Sequence, residues 1–197
     1  MSLAKMLTRM NGADLLNSPP RLMRWSQNIW HTMASKKGYG KSADAKSEKC
    51  AFQVAVELTE EVKNGFCFGK QAIKHADRNK VHAADSKKLQ GSLDIDSQVK
   101  TLYPHDPRWD YAMSYDDKIY FFEIHPAETS EVGKVISKVQ WLKDWLKIKA
   151  TKINELPKAE HPYTWIQSGR YAILPTAKEK MQLSVAGITT ANKLDLK

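Results

Sequence analysis

The stretch Trp109–His125, WDYAMSYDDKIYFFEIH, decides how the rest of the chain is read. Its first run sets Trp109, Tyr111, Met113 and Tyr115 against Asp110, Ala112 and Ser114. Its second sets Tyr120, Phe122 and Ile124 against Ile119, Phe121, Glu123 and His125. Alternation with period two, rich in aromatic residues, predicts β-strands, and Asp116-Asp117-Lys118 is polar turn material between them. The segment is therefore expected to be a β-hairpin, ended by Pro126. Glu123 and His125 are two residues apart and project from one face. Asp110 opens the partner strand. A carboxylate among apolar neighbours costs free energy unless it is paired, hydrogen-bonded or bound to metal. Two carboxylates and an imidazole on adjacent strands make a candidate site for a hard cation.

Outward from the hairpin, Cys50–Lys63 has helical composition. Phe52, Ala55, Val56, Thr59 and Val62 form its apolar stripe, Gln53, Glu57 and Glu60 line another side, and Gly65 is the expected C-cap. The polar segment from Lys70 to Gln90 reads as partly helical. Ser92–Val99 reads as a strand with Leu93, Ile95 and Ser97 on one face. Ser130–Lys149 is the clearest helix, with Val132, Val135, Ile136, Val139, Leu142 and Leu146 as its stripe. Lys134, Lys138, Trp141 and Trp145 gather on the opposite side. The Trp pair reads first as packing, with lysines reaching past it to water, and second as a phosphate-contacting, base-stacking face. Tyr163–Leu174 reads as a strand, followed by a short helix near Thr176 and a strand at Leu183–Ile188. The predicted order is helix, strand, strand, strand, helix, strand, an α/β pattern whose hairpin feeds a crossover helix.

The chain has 197 residues and a formal net charge of +9, with a pI near 9.4. The first 49 residues hold nine Lys/Arg against three Asp/Glu, and so contribute most of that excess. They are expected to carry helices at about 3–16 and 21–33 and a flexible basic loop at 35–47. Such charge favours a polyanionic partner, with nucleic acid, DNA foremost, ahead of an anionic membrane. No apolar run approaches the ~18 residues of a membrane-spanning helix, and the N-terminus is too polar for a secretory signal. Two cysteines, Cys50 and Cys67, make no disulfide framework. The expectation is a reduced, cytoplasmic protein, and a homodimer is compatible with it. No spacing among the scattered histidines predicts a structural zinc site.

The element order and residues resemble the PD-(D/E)XK, restriction-endonuclease-like nuclease superfamily, whose core runs α-β-β-β-α-β around a central mixed sheet. Its signature is an acidic residue opening the second core strand and (D/E)-x-K closing the third. Asp110 matches the first, preceded by Trp109 rather than Pro. Glu123-Ile124-His125 matches the second, with His125 where the family has Lys. The resemblance spans about residues 48–175, leaving 1–47 as a basic extension and 176–197 as a tail packed on the core. It implies metal-dependent hydrolysis of phosphodiester bonds in DNA or RNA, with Mg²⁺ or Mn²⁺ held by Asp110, Glu123 and the Ile124 carbonyl. It also implies a further carboxylate from the first helix, Glu57 with Glu60 next, and a role for Lys138 near the metal. An imidazole at 125 would act as base or ligate a softer metal. It equally fits a domain that has lost catalysis and binds nucleic acid or assembles. The remaining alternative is a small α/β domain whose charge serves a protein partner.

Overall fold

A computed structural model describes residues 48–173 and 178–197. The expected helices and basic loop of the first 47 residues, and the helix near Thr176, lie outside the described residues. The chain builds an α/β unit around a mixed six-stranded sheet flanked by helices, in the order β1-β3-β4-β5-β6-β7. The strands are β1 Cys67–Phe68, β3 Leu89–Asp94, β4 Tyr111–Tyr115, β5 Lys118–Ala127, β6 Lys158–Tyr171 and β7 Ile188–Ala191. β1, β3, β4 and β5 pair antiparallel in turn, and β5, β6 and β7 are parallel. A second, two-stranded parallel sheet joins β2 Val81–Ala83 to β8 Leu194–Leu196. Helix α1 is Ala51–Glu57, α2 Ile95–Val99, α3 Val132–Ile148, α4 Thr151–Asn154 and α5 Lys178–Val185.

The hairpin forms as its alternation predicts. Tyr115 pairs with Lys118 across a two-residue turn, and Asp116 and Asp117 take φ of 50° and 58°. That left-handed turn matches the twist of the strands it joins. Side chains then sort by parity. Ala112 and Phe121 join Phe52, Val56, Val135, Val139 and Leu142 in the core that packs α1 and α3 on the sheet. Tyr111, Met113, Tyr115 and Phe122 face the opposite way, against Ile73, Val81, Leu194 and Leu196. Phe121 and Phe122 are both wholly buried, each stabilising the fold by about 1.5–3 kcal/mol. Asp110 and Glu123 have the same parity as Ala112 and Phe121, so both carboxylates lie on the α1/α3 face. From β5 the chain crosses over through α3 and returns in parallel as β6, the connection expected of such a pattern.

Several predicted boundaries move. Ser92–Val99 is not one strand: β3 ends at Asp94, and Ile95–Val99 is helix α2. The reason is local. The Asp94 carboxylate accepts the Ser97 N–H at 2.9 Å and the Ser97 hydroxyl at 2.8 Å, an N-cap that turns the chain. The first helix stops at Glu57, with one turn of 3₁₀-helix at Glu60–Val62 instead of a continuation to Lys63. Its predicted stripe is nevertheless buried throughout, Thr59 included, whose hydroxyl donates to the Ala55 carbonyl at 2.8 Å. Pro126 does not end β5. The strand runs to Ala127, with an irregular register from His125 to Ala127 where proline has no N–H to give. The segment from Lys70 to Gln90 holds only 3₁₀ turns, at His75–Lys80 and Ser86–Lys88, beside β2. The strand expected at Leu183–Ile188 is the end of α5, and β7 and β8 follow it.

Candidate active site

Asp110 and Glu123 are brought together by the hairpin register, one pair beyond Tyr111 and Phe122. Each carboxylate is held by the other strand's backbone. The Asp110 N–H donates to Glu123 Oε2 at 3.1 Å, and the Ile124 N–H donates to Asp110 Oδ2 at 3.0 Å. One oxygen of each is thereby fixed. The remaining two, Asp110 Oδ1 and Glu123 Oε1, turn to a single point, which the Lys138 ammonium occupies. Lys138 Nζ lies 3.6 Å from Asp110 Oδ1 and donates a short hydrogen bond to Glu123 Oε1. Lys138 reaches this point from α3, which packs on the same face through Val135, Val139 and Leu142.

The electrostatics follow from burial. Only 1% of the Glu123 side chain meets solvent, against 20% for Asp110 and 23% for Lys138. Burial, reinforced by the Asp110 charge, pushes Glu123 up to about 8, while Lys138 pulls the other way. Asp110 is also raised, chiefly by burial, with Lys138 and the Ile124 amide opposing. Burial alone would depress Lys138, but Glu123 and Asp110 outweigh it and hold it above the usual lysine value. The three charges are therefore coupled, and Glu123 is the member whose proton is exchanged nearest neutral pH.

The other predicted site residues go elsewhere. His125 shares the face of Glu123, yet its Nε2 lies 2.6 Å from Glu131 Oε2, and Glu131 also pairs with Lys134 at 2.9 Å. The imidazole is thus tied to the start of α3, one strand step from the carboxylate pair. Glu57 does not join the pair; its partners are Lys49 at 2.5 Å and Gln53 at 2.9 Å. Glu60 pairs with Lys63. Ile124 enters through its N–H, as the donor to Asp110. Two residues to which the sequence reading gives no site role border the site. Asp96 adds negative charge felt by Asp110 and Lys138. Arg108 binds Asp96 through Nε at 2.8 Å and so ties α2 to the loop that delivers Asp110. The Ile95 N–H completes the tie, donating to the Asp110 carbonyl at 2.8 Å.

The resemblance implies a divalent cation, and the donor set can be tested against one. Mg²⁺ takes one or two carboxylates and completes its shell with water and substrate oxygens. Two carboxylate oxygens already aimed at one point satisfy that requirement. Among the described residues no group of three or more His, Cys, Asp or Glu gathers to hold a metal, so water or substrate would supply the rest of the shell.

No family model matches the chain, and no curated protein or solved structure is detectably similar to it. Among the described residues, no helix is long and apolar enough to cross a membrane.

Proposed function

We propose that this chain is a restriction-endonuclease-like domain that hydrolyses phosphodiester bonds in nucleic acid with Mg²⁺ or Mn²⁺. In this reading Lys138, rather than His125, provides the lysine of the site. The observation that carries the reading is the convergence of Asp110 Oδ1, Glu123 Oε1 and Lys138 Nζ at the mouth of the hairpin. The elements α1, β3, β4, β5, α3 and β6 follow the superfamily order, and the net charge of +9 suits a polyanionic substrate. Asp110 and Glu123 would hold the cation, which supplies polarisation of the phosphate and a water of lowered pKa. The Asp110 and Ile124 N–H groups keep both carboxylates in place without substrate, so little reorganisation accompanies binding. Lys138, released from neutralising the pair, offers its positive charge to the phosphate.

Cleavage of mixed DNA and RNA substrates with Mn²⁺ or Mg²⁺ tests this. Wild type is expected to cleave, Glu123→Gln to lose cleavage, and Lys138→Met to fall by roughly 10²–10³-fold, the scale for removing one charge-stabilising donor. His125→Ala is expected to stay within a few fold of wild type, because its partner is Glu131. Activity surviving Glu123→Gln overturns the assignment. Metal binding has its own readout. Deprotonated ligands are required, so Mn²⁺ uptake releases a proton near neutral pH and tightens as pH rises towards about 8.

A binding domain without catalysis is the second reading, favoured by the ammonium that already neutralises both carboxylates. It predicts no proton release with any divalent metal, no cleavage, and nucleic-acid affinity unchanged by Glu123→Gln. In both readings affinity falls steeply with salt, because bound phosphates release counterions.

A further inference from the structure

Helix α3 carries a second feature on the face that presents Lys138. Three and seven residues further along lie Trp141 and Trp145, whose rings stack in parallel, 5.9 Å between centroids and 9° between planes. Tyr103 meets Trp141 edge-on at 5.5 Å and 76°. These rings, with Asp144, Ile148 and Lys149, line a pocket of about 180 Å³. The polar tips of the rings are already satisfied by the protein. Trp145 donates to Glu61 at 2.8 Å, Trp141 to Asp106 at 3.3 Å, and the Tyr103 hydroxyl to Glu61 at 2.9 Å. Trp145 is largely buried and Trp141 half-buried, so the accessible lining is the indole of Trp141 and an aliphatic rim, Ile148, that is 69% exposed.

Resting on the nuclease reading above, we propose that this pocket receives one unpaired nucleobase of the strand whose phosphate is addressed by Lys138, and that the substrate is single-stranded. Three observations select this occupant. A flat heterocycle can stack on the accessible indole of Trp141, which Trp145 backs from within, as base-on-aromatic stacking does in single-strand binders. The volume, about 180 Å³, compares with a cavity of about 150 Å³ that takes up benzene, the scale of one planar ring system. The pocket is also continuous with the phosphate-facing charge. Lys138 is one helical turn from Trp141, and Lys149 stands at the mouth. The loop from Tyr103 to Asp110 joins the two places, pinned midway by Arg108, which bonds both the Tyr103 carbonyl and Asp96.

The test is a titration of the full chain, without divalent metal, with three labelled 12-nucleotide probes of equal charge: a mixed-sequence DNA strand, the same strand with abasic sites throughout, and a blunt duplex matched in phosphate number. The base-bearing strand is expected to bind about tenfold more tightly than the abasic strand, the scale of one stacked base. Trp141→Ala and Ile148→Glu should each remove that difference, Trp141→Ala with the abasic strand's affinity unchanged. Ile148 is exposed, so its replacement spares the core and serves if Trp141→Ala fails to fold. Equal affinity for strand and abasic strand overturns the pocket, even if metal-dependent cleavage is found. Loss of strand affinity only through loss of the abasic strand's affinity as well overturns it too, since that marks charge or folding. Base-dependent binding abolished by Ile148→Glu supports the pocket even if the chain cleaves nothing, in which case only the nuclease reading falls.

Discussion

Two triads are built around β5 and α3, and they behave oppositely. Glu123 of β5 faces Lys138 of α3 with Asp110 beside them. Two residues along β5, His125 meets Glu131, which in turn holds Lys134, four residues before Lys138. Each triad sets carboxylate against base, yet Glu123 is pushed up to about 8 while Glu131 is held below the ordinary glutamate value by Lys134 and His125. Burial and neighbouring charge together separate them: Glu131, 16% exposed, has two basic partners, whereas Glu123, 1% exposed, has Asp110 beside it. The Glu123 charge has lost its hydration, and its partners only partly replace it. Position relative to the core and the signs of the neighbouring charges together decide which carboxylate can serve as a tunable acid.

The largest effect on this contrast should come from Lys138→Met, which leaves Asp110 and Glu123 facing each other uncompensated. Breaking a buried pair from one side costs about 3–5 kcal/mol, and thermal denaturation at pH 8 should show it as a drop of roughly 10 °C. Adding Glu123→Gln to Lys138→Met should recover most of the loss. A Lys138→Met protein as stable as wild type would show that the ammonium does not neutralise the pair.

The next effect is on pH dependence, and its sign differs between the triads. Glu123 binds its proton more tightly folded, at about 8, than unfolded, near 4.5. Its contribution is therefore complete below about 4.5 and is lost as pH rises through about 8. Comparing wild type with Glu123→Gln from pH 5 to 8.5, wild type should lose ground with rising pH, on the order of a few kcal/mol. Glu131 has the opposite slope. Its folded value lies below 4.5, so its contribution is present above that pH and disappears on acidification. Parallel pH profiles for Glu123→Gln and Glu131→Gln would erase the distinction between the two sites.

The smallest effect is expected at the rim. Lys134 is 70% exposed, and Lys134→Ala should change stability by no more than about 0.5 kcal/mol, measured by urea denaturation. A loss comparable to that of Lys138→Met would mean that exposure does not separate the triads.

How far the sequence reveals this depends on the range of each interaction. The hairpin was legible because alternation and the Asp116-Asp117 turn are local signals, and parity then placed Asp110 and Glu123 on one face. Lys138 was legible as a member of the helix stripe opposite the apolar one, and the buried stripe of α1 was read correctly. The end of β3 was not, because alternation continues through Ile95 while the Asp94 cap overrides it. His125 was assigned by its spacing from Glu123, yet its environment is set by Glu131, on the far side of Pro126. Glu57 has helical phase to recommend it but finds Lys49 instead. Asp96 and Arg108 gave no signal at all, since their pairing depends on how a loop folds back over α2.

The crossed clamp between Asp110 and Glu123 has a consequence for observation in solution. Each carboxylate accepts a backbone N–H from the opposite strand, so two peptide protons, those of Asp110 and Ile124, sit directly on the groups that titrate. Their NMR chemical shifts should report the proton inventory of the site one residue at a time, moving together as the pair ionises and again when a cation arrives. The hairpin thus carries its own pair of spectroscopic probes, readable in the uniformly labelled resting protein without any substrate bound.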